Sequence, residues 1–122
     1  MCGFLGFVGK DQSINKSKFI RALNSLHSRG PDNTDYYFAK NCLLGHKRLS
    51  VIDLSKKASQ PMTDSSRRFI IVYNGEIYNF RELKKDLSRY NISWLTNTDT
   101  EVVLYSYIKW GTKCLNKFEG MF

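Results

Sequence analysis

The stretch Arg68-Phe69-Ile70-Ile71-Val72-Tyr73-Asn74-Gly75 decides how the rest of the chain is read. Phe69 to Tyr73 is an unbroken apolar and aromatic run rich in β-branched residues, which favours an extended strand. Its continuity, in place of alternation, predicts a strand covered on both faces. Asn74-Gly75 predicts a turn at its end. Towards the C-terminus, Phe80, Leu83 and Leu87 line up on a helix from about Asn79 to Arg89. Thr98-Asp99-Thr100-Glu101 opens another helix, because Thr98 and Glu101 have capping-box spacing. Val102, Val103, Ser106 and Tyr107 carry its face toward Trp110-Gly111. Towards the N-terminus, Ser55 to Ser66 is polar, carries Pro61 and reads as a loop, and Leu49 to Leu54 reads as a short β-rich run. Tyr36 to Ala39 and Cys42 to Leu44 predict two strands joined at Lys40-Asn41. Lys16 to Leu26 places Phe19, Ile20, Leu23 and Leu26 at helical spacing. Arg29-Gly30-Pro31-Asp32 stops that helix, since glycine accepts a left-handed end and proline cannot continue. Cys2 to Val8 predicts a buried strand. Strands and helices thus alternate in blocks, which predicts an α+β fold with helices layered on largely antiparallel sheets.

The chain has 122 residues, the size of one domain. With 42% hydrophobic and 25% charged residues it is not the composition of a disordered tail. No apolar run approaches the ~18 residues of a membrane span. Met1 to Lys10 has no positive region ahead of its apolar stretch and does not read as a signal peptide. Three cysteines without a close pair argue against a disulfide framework and fit a reducing, cytoplasmic compartment. The net charge of +8 is scattered or paired with acids, as in Arg81-Glu82-Leu83-Lys84-Lys85-Asp86. It reads as solvated surface, and neither nucleic acid nor a membrane is expected as a partner. The final Gly120-Met121-Phe122 is apolar and carries no stop signal, so the sequence is expected to be cut short.

Four places could carry chemistry. Cys2 follows Met1, which methionine aminopeptidase removes ahead of a small residue. Cys2 would then hold a thiol and a free α-amine of unperturbed pKa near ~8, nucleophile and base in one residue. The alternative is a small buried apolar residue near the terminus. In Tyr73-Asn74-Gly75-Glu76, the Asn74 amide and the Gly75 N–H could form an oxyanion hole, or the segment is an ordinary turn. In Gly45-His46-Lys47-Arg48-Leu49-Ser50, Arg48 could clamp a carboxylate, or pair with a nearby acid; His46 is assigned no catalysis. Asp99 could bind an ammonium group, or simply cap its helix.

Taken in order, the motifs are Met1-Cys2-Gly3, Arg29-Gly30-Pro31-Asp32, Gly45 to Ser55, Gln60-Pro61-Met62, Tyr73-Asn74-Gly75-Glu76-Ile77-Tyr78-Asn79, Thr98 to Val102 and Gly120-Met121-Phe122. This series closely resembles the N-terminal glutaminase domain of glutamine-dependent asparagine synthetases, among the class II glutamine amidotransferases, over residues 1–122. The resemblance implies an N-terminal-nucleophile hydrolase fold, a four-layer αββα sandwich, incomplete here at its C-terminus. It implies hydrolysis of the L-glutamine side-chain amide to glutamate and ammonia, with Cys2 as nucleophile and Asn74 and Gly75 as the oxyanion hole. Arg48, Leu49, Ser50, Val51 and Ile52, with Asn74, Gly75, Glu76 and Asp99, would hold the glutamine; Arg48 would take its α-carboxylate and Asp99 its α-ammonium. No metal or cofactor is implied for this half-reaction. ATP and Mg²⁺ are implied only for a synthetase domain, marked in the family by Ser-Gly-Gly-x-Asp-Ser and absent from these residues, which would receive the ammonia. A homodimer is an expectation for the full-length protein. The sequence departs from the family in two places: Ser28 precedes Arg29 where histidine is usual, with His27 one place earlier, and Lys47 stands where arginine is common. The expected shortness leaves a second reading open, a catalytically inactive fragment or interaction module that needs a partner chain to complete its fold.

Overall fold

The computed structural model describes residues 2–9, 15–51 and 53–122. Its centre is a three-stranded antiparallel sheet of β1 (Gly3–Val8), β2 (Asn33–Phe38) and β3 (Cys42–Arg48), in the order β1-β3-β2. The β2–β3 hairpin closes over residues 39–41 with the Ala39 N–H donating to the Cys42 carbonyl at 2.8 Å. Side chains alternate across β3. Leu43, Gly45 and Lys47 face helix α1 (Lys16–Asn24), where Phe19 and Leu23 are buried. Gly45 is glycine because a Cβ there would stand 2.6 Å from Leu23 Cδ2. The Lys47 ammonium is buried beneath the end of α1, donating to Asn24 Oδ1 at 2.8 Å and Thr34 Oγ1 at 2.7 Å. His46 and Arg48 point to the opposite face.

The second half of the chain builds two small antiparallel sheets and a helical layer. β4 (Met62–Thr63) pairs with β5 (Ile70–Ile71), and β6 (Glu76–Ile77) pairs with β7 (Gly120–Met121). Helices α2 (Phe80–Asp86) and α3 (Asp99–Trp110) pack with β6 around Ile77, Leu83, Leu87, Val102 and Tyr105. The α+β reading holds. No described helix is long and apolar enough to cross a membrane.

Several local expectations are corrected. The strand expected buried over Cys2–Val8 is half open: Phe4 is 48% and Val8 78% exposed. Both share the sheet face opposite α1, since Phe4 pairs with His46 and Val8 with Cys42. Helix α1 ends at Asn24, before Leu26, and Gly30 is not left-handed (φ −154°). Gly30 is needed instead because a Cβ would run into the Lys47 carbonyl. Leu49–Leu54 is a loop, in its described residues, because the Arg48 guanidinium folds it back by donating to the carbonyls of Asp53 and Ser55. The strand expected over Arg68–Tyr73 is paired only at Ile70–Ile71 and is half-buried. Side chains take its flanking N–H groups: Asp64 accepts from Phe69 and Gln60 from Tyr73. The loop expected over Ser55–Ser66 includes a 3-10 turn, Lys56–Ala58, as well as β4. No turn forms at Asn74-Gly75; β6 follows directly, and the chain turns at Tyr78-Asn79. Only half of the capping box forms. Thr98 accepts the Glu101 N–H at 3.3 Å, while the Glu101 carboxylate reaches past it to the N–H groups of Leu95 and Thr96. On α3, Val102 and Ser106 are buried as expected, Leu104 and Tyr105 join them, and Tyr107 is exposed.

Candidate active site

The site face of β3 leads directly into the chemistry. Where the strand ends, the Leu49 N–H donates to Cys2 Sγ at 3.3 Å, and the thiol lies 3.6 Å from the Leu49 carbonyl. The Cys2 carbonyl accepts from Arg29 Nε at 3.0 Å. The Arg29–Asp32 motif is fastened in turn to the same strand end: the Asp32 N–H donates to the Arg48 carbonyl, and the Asp32 carboxylate accepts the Ser50 N–H at 2.7 Å. Arginine and aspartate of one motif therefore fasten Cys2 and the end of β3 to the same segment. All three cysteines are free.

Cys2 opens onto a cleft of about 390 Å³. Of the residues expected in the site, Arg48, Leu49, Val51, Asn74, Gly75, Glu76 and Asp99 line it together with Cys2. Ser50 does not; its N–H is spent on Asp32. Ile52 lies outside the described residues. The Arg48 side chain is nearly buried, and two of its five N–H donors serve the Asp53 and Ser55 carbonyls. Asp53 in turn accepts the N–H groups of Ser55 and Asn97, so the loop after β3 is tied across to the approach of α3.

Asp99 is buried at the first turn of α3, accepting the Ile77 N–H on Oδ2 at 3.0 Å and the Thr100 N–H on Oδ1 at 2.9 Å. Burial pushes its carboxyl above the usual range and nearby Glu76 adds to this, against those hydrogen bonds. A cation entering the cleft would relieve that cost. The Tyr73 hydroxyl is buried with no hydrogen-bond partner among the described residues. Burial, then the charges of Asp99 and Glu76, raise its pKa and keep it protonated. His46 is not among the cleft-lining residues. It is 1% exposed, and burial lowers its pKa to about 4, so it is neutral at pH 7, with Nε2 3.3 Å from the Tyr73 carbonyl. Among the described residues, no group of three or more His, Cys, Asp or Glu is placed to hold a metal ion.

A family model for a glutamine amidotransferase domain matches residues 1–122. The chain belongs to that family. Glutamine-hydrolyzing asparagine synthetases 3 and 1 of Bacillus subtilis are 37% and 34% identical to it, each over 126 residues. Glutamine-hydrolyzing asparagine synthetase 2 of Oryza sativa subsp. japonica is 34% identical over 124 residues. Each alignment covers 100% of this chain and 20% of the relative, so the chain spans about a fifth of the length of these relatives.

Other residues line the cleft that residue-by-residue reading passed over: the polar Gln60, Tyr73 and Thr100 and the apolar Ala58, Met121 and Phe122. Gln60 sits in the quoted Gln60-Pro61-Met62 motif and Thr100 beside Asp99, so both stood within reach. Met121 arrives through the β6–β7 pairing, which local sequence does not announce.

Proposed function

We propose that this domain hydrolyses the side-chain amide of L-glutamine to glutamate and ammonia through a thioester on Cys2. The observation that carries the reading is the single cleft where Cys2, Arg48, Asn74, Gly75, Glu76 and Asp99 meet from four separate parts of the chain. Removal of Met1 frees the Cys2 α-amine, which takes the thiol proton, directly or through water. The thiolate attacks the amide carbon, a C–S bond forms, and the carbonyl electron pair moves to oxygen. The Asn74 side-chain amide and the Gly75 N–H hold that oxyanion. As the carbonyl reforms, the C–N bond breaks, and the nitrogen leaves as ammonia after protonation by the α-amine. Water then cleaves the thioester, releasing glutamate and restoring the thiol. The Arg48 N–H groups not spent on the loop take the substrate α-carboxylate, Asp99 takes the α-ammonium, and Glu76 with the 49–52 loop completes the enclosure.

The half-reaction as written consumes no metal or nucleotide. The ammonia passes to an asparagine-synthetase-type amidation site in another domain or chain, where ATP and Mg²⁺ enter. This reading carries with it the four-layer N-terminal-nucleophile sandwich and a cytoplasmic setting. The test is glutamate release from glutamine by the purified protein, with Met1 removal verified by intact mass. Cys2→Ala is expected to abolish release; full activity in that variant overturns the mechanism.

One observation favours a second reading, a binding module completed by a partner. Phe4, Val8 and Tyr37 stand partly exposed on the same face of the β1-β3-β2 sheet. Calorimetric titration with glutamine, alone and with a synthetase chain, separates the two. Tight partner binding without turnover under any condition supports the module.

A further inference from the structure

The segment that carries Asn74, Gly75 and Glu76 is pinned at both ends by side chains from elsewhere in the chain. At its start, the Tyr73 N–H donates to Gln60 Oε1 at 2.6 Å. At its end, the Ile77 N–H donates to Asp99 Oδ2 at 3.0 Å. The two pins are joined to each other. Asp99 Oδ1 accepts the Thr100 N–H at 2.9 Å, and Thr100 Oγ1 accepts from Gln60 Nε2 at 3.3 Å. Hydrogen bonds therefore run from Tyr73 through Gln60, Thr100 and Asp99 to Ile77, and the backbone from 73 to 77 closes the ring. Gln60, Thr100, Asp99 and Ile77 are all buried. A side chain in such a network cannot be removed without leaving a buried donor or acceptor unpaired.

We propose that Gln60 and Thr100 are positioning residues that lock the oxyanion segment to the Asp99 end of the substrate site, so that the two ends are held as one rigid frame. What the frame serves rests on the glutaminase reading above. Gln60 holds Tyr73 directly and reaches the Asp99 end through Thr100, so its loss displaces the Asn74 and Gly75 donors and also loosens Asp99. Thr100 reaches Tyr73 only through Gln60, so any effect of Thr100 on Tyr73 reports the ring and not a direct contact.

The variants Gln60→Leu, Thr100→Val and Thr100→Ser are made in the full 122-residue chain. Two readouts are taken: steady-state glutamine hydrolysis, and hydrogen exchange of the Tyr73 amide by NMR. For Gln60→Leu, kcat should fall about 10–100-fold and KM rise about fivefold. For Thr100→Val, KM should rise about fivefold and the Tyr73 amide should exchange about fivefold faster. Thr100→Ser keeps the hydroxyl and should restore both to within about twofold. Should Gln60→Leu not fold, the Thr100 pair decides. A lowered melting temperature with kcat and KM within about twofold in the folded variants, and Tyr73 exchange unchanged in Thr100→Val, would mean a merely structural role and overturn the proposal. If the unmodified chain releases no glutamate, the glutaminase reading fails by itself. The Tyr73 exchange comparison then decides the frame alone: faster exchange in Thr100→Val supports it, and unchanged exchange overturns it.

Discussion

Asn74 and Gly75 stand side by side for different physical reasons. Asn74 brings an amide donor to the cleft, which is a matter of chemistry. Gly75 is glycine as a matter of space: a Cβ there would stand 2.5 Å from the Met121 carbonyl oxygen and 2.5 Å from the Tyr73 hydroxyl. Removing the donor with Asn74→Ala is expected to lower kcat by about 10²–10³ with little change in KM, since an oxyanion exists only beyond the ground state. Steady-state kinetics on glutamine check this, and a kcat within threefold of the parent chain would take the oxyanion role away from Asn74. The role expected of these two residues could be read from their chemical type. The spatial demand at Gly75 could not, because it comes from β7, far along the chain, and from the way the Tyr73 ring folds back over the glycine.

At the scale of elements, the helices and the central sheet were legible, β1, β2, β3 and their hairpin standing where expected. The later strands were not: the described residues of 49–54 form none, and 68–73 pairs only at Ile70–Ile71. The helical spacing of Leu83 and Leu87 located α2, because one apolar face packs on a core and the rest meets water. The helix ends at Asp86, short of the expected Arg89, and a 3-10 turn, Ser88–Tyr90, follows Leu87. Leu87 has no exposed surface, and Leu87→Ala is expected to cost about 2–5 kcal/mol in urea titration, from lost burial and the cavity left behind. A loss under about 1 kcal/mol would show that this part of the core collapses to fill the gap. Strand reading failed where polar side chains compete for the backbone. Asp64, Gln60 and Arg48 bind N–H or C=O groups around β5 and after β3 that a longer ladder would otherwise use. Val, Ile and Phe content measures the willingness to extend, not the presence of a partner strand. Two of these side chains, Gln60 and Arg48, also line the cleft, and the tie from Gln60 to Tyr73 is invisible in a sequence that shows neither as part of one structure.

For the whole molecule, acid is the informative perturbation. His46 titrates near 6.5 in an unfolded chain and at about 4 in the fold, so only the unfolded chain gains a proton between those values. Stability should therefore be level above about pH 7, fall as pH drops from 6.5, and lose on the order of 3 kcal/mol by pH 4 from this residue. Below that, Asp53 and Asp64 continue the loss. The Ser55 and Asn97 hydrogen bonds hold Asp53 low; at Asp64 burial works the other way but is outweighed by hydrogen bonds from Ser66, Phe69 and Arg68. Asp99, raised in the fold, gains a little stability as pH falls and opposes them. Denaturant titrations across pH 4–7 should show the slope, and His46→Gln should flatten it; an equal slope in that variant would assign the effect elsewhere. The alternation along β3 has an outcome of its own. One side of this strand supports α1 and the other supplies Arg48 to the cleft, so its numbering works like a two-sided key. A single extra residue within Cys42–Arg48 would turn the key half-way. It would bring an ammonium to the mouth of the cleft and send a five-donor fork under α1, where Asn24 and Thr34 wait to receive it.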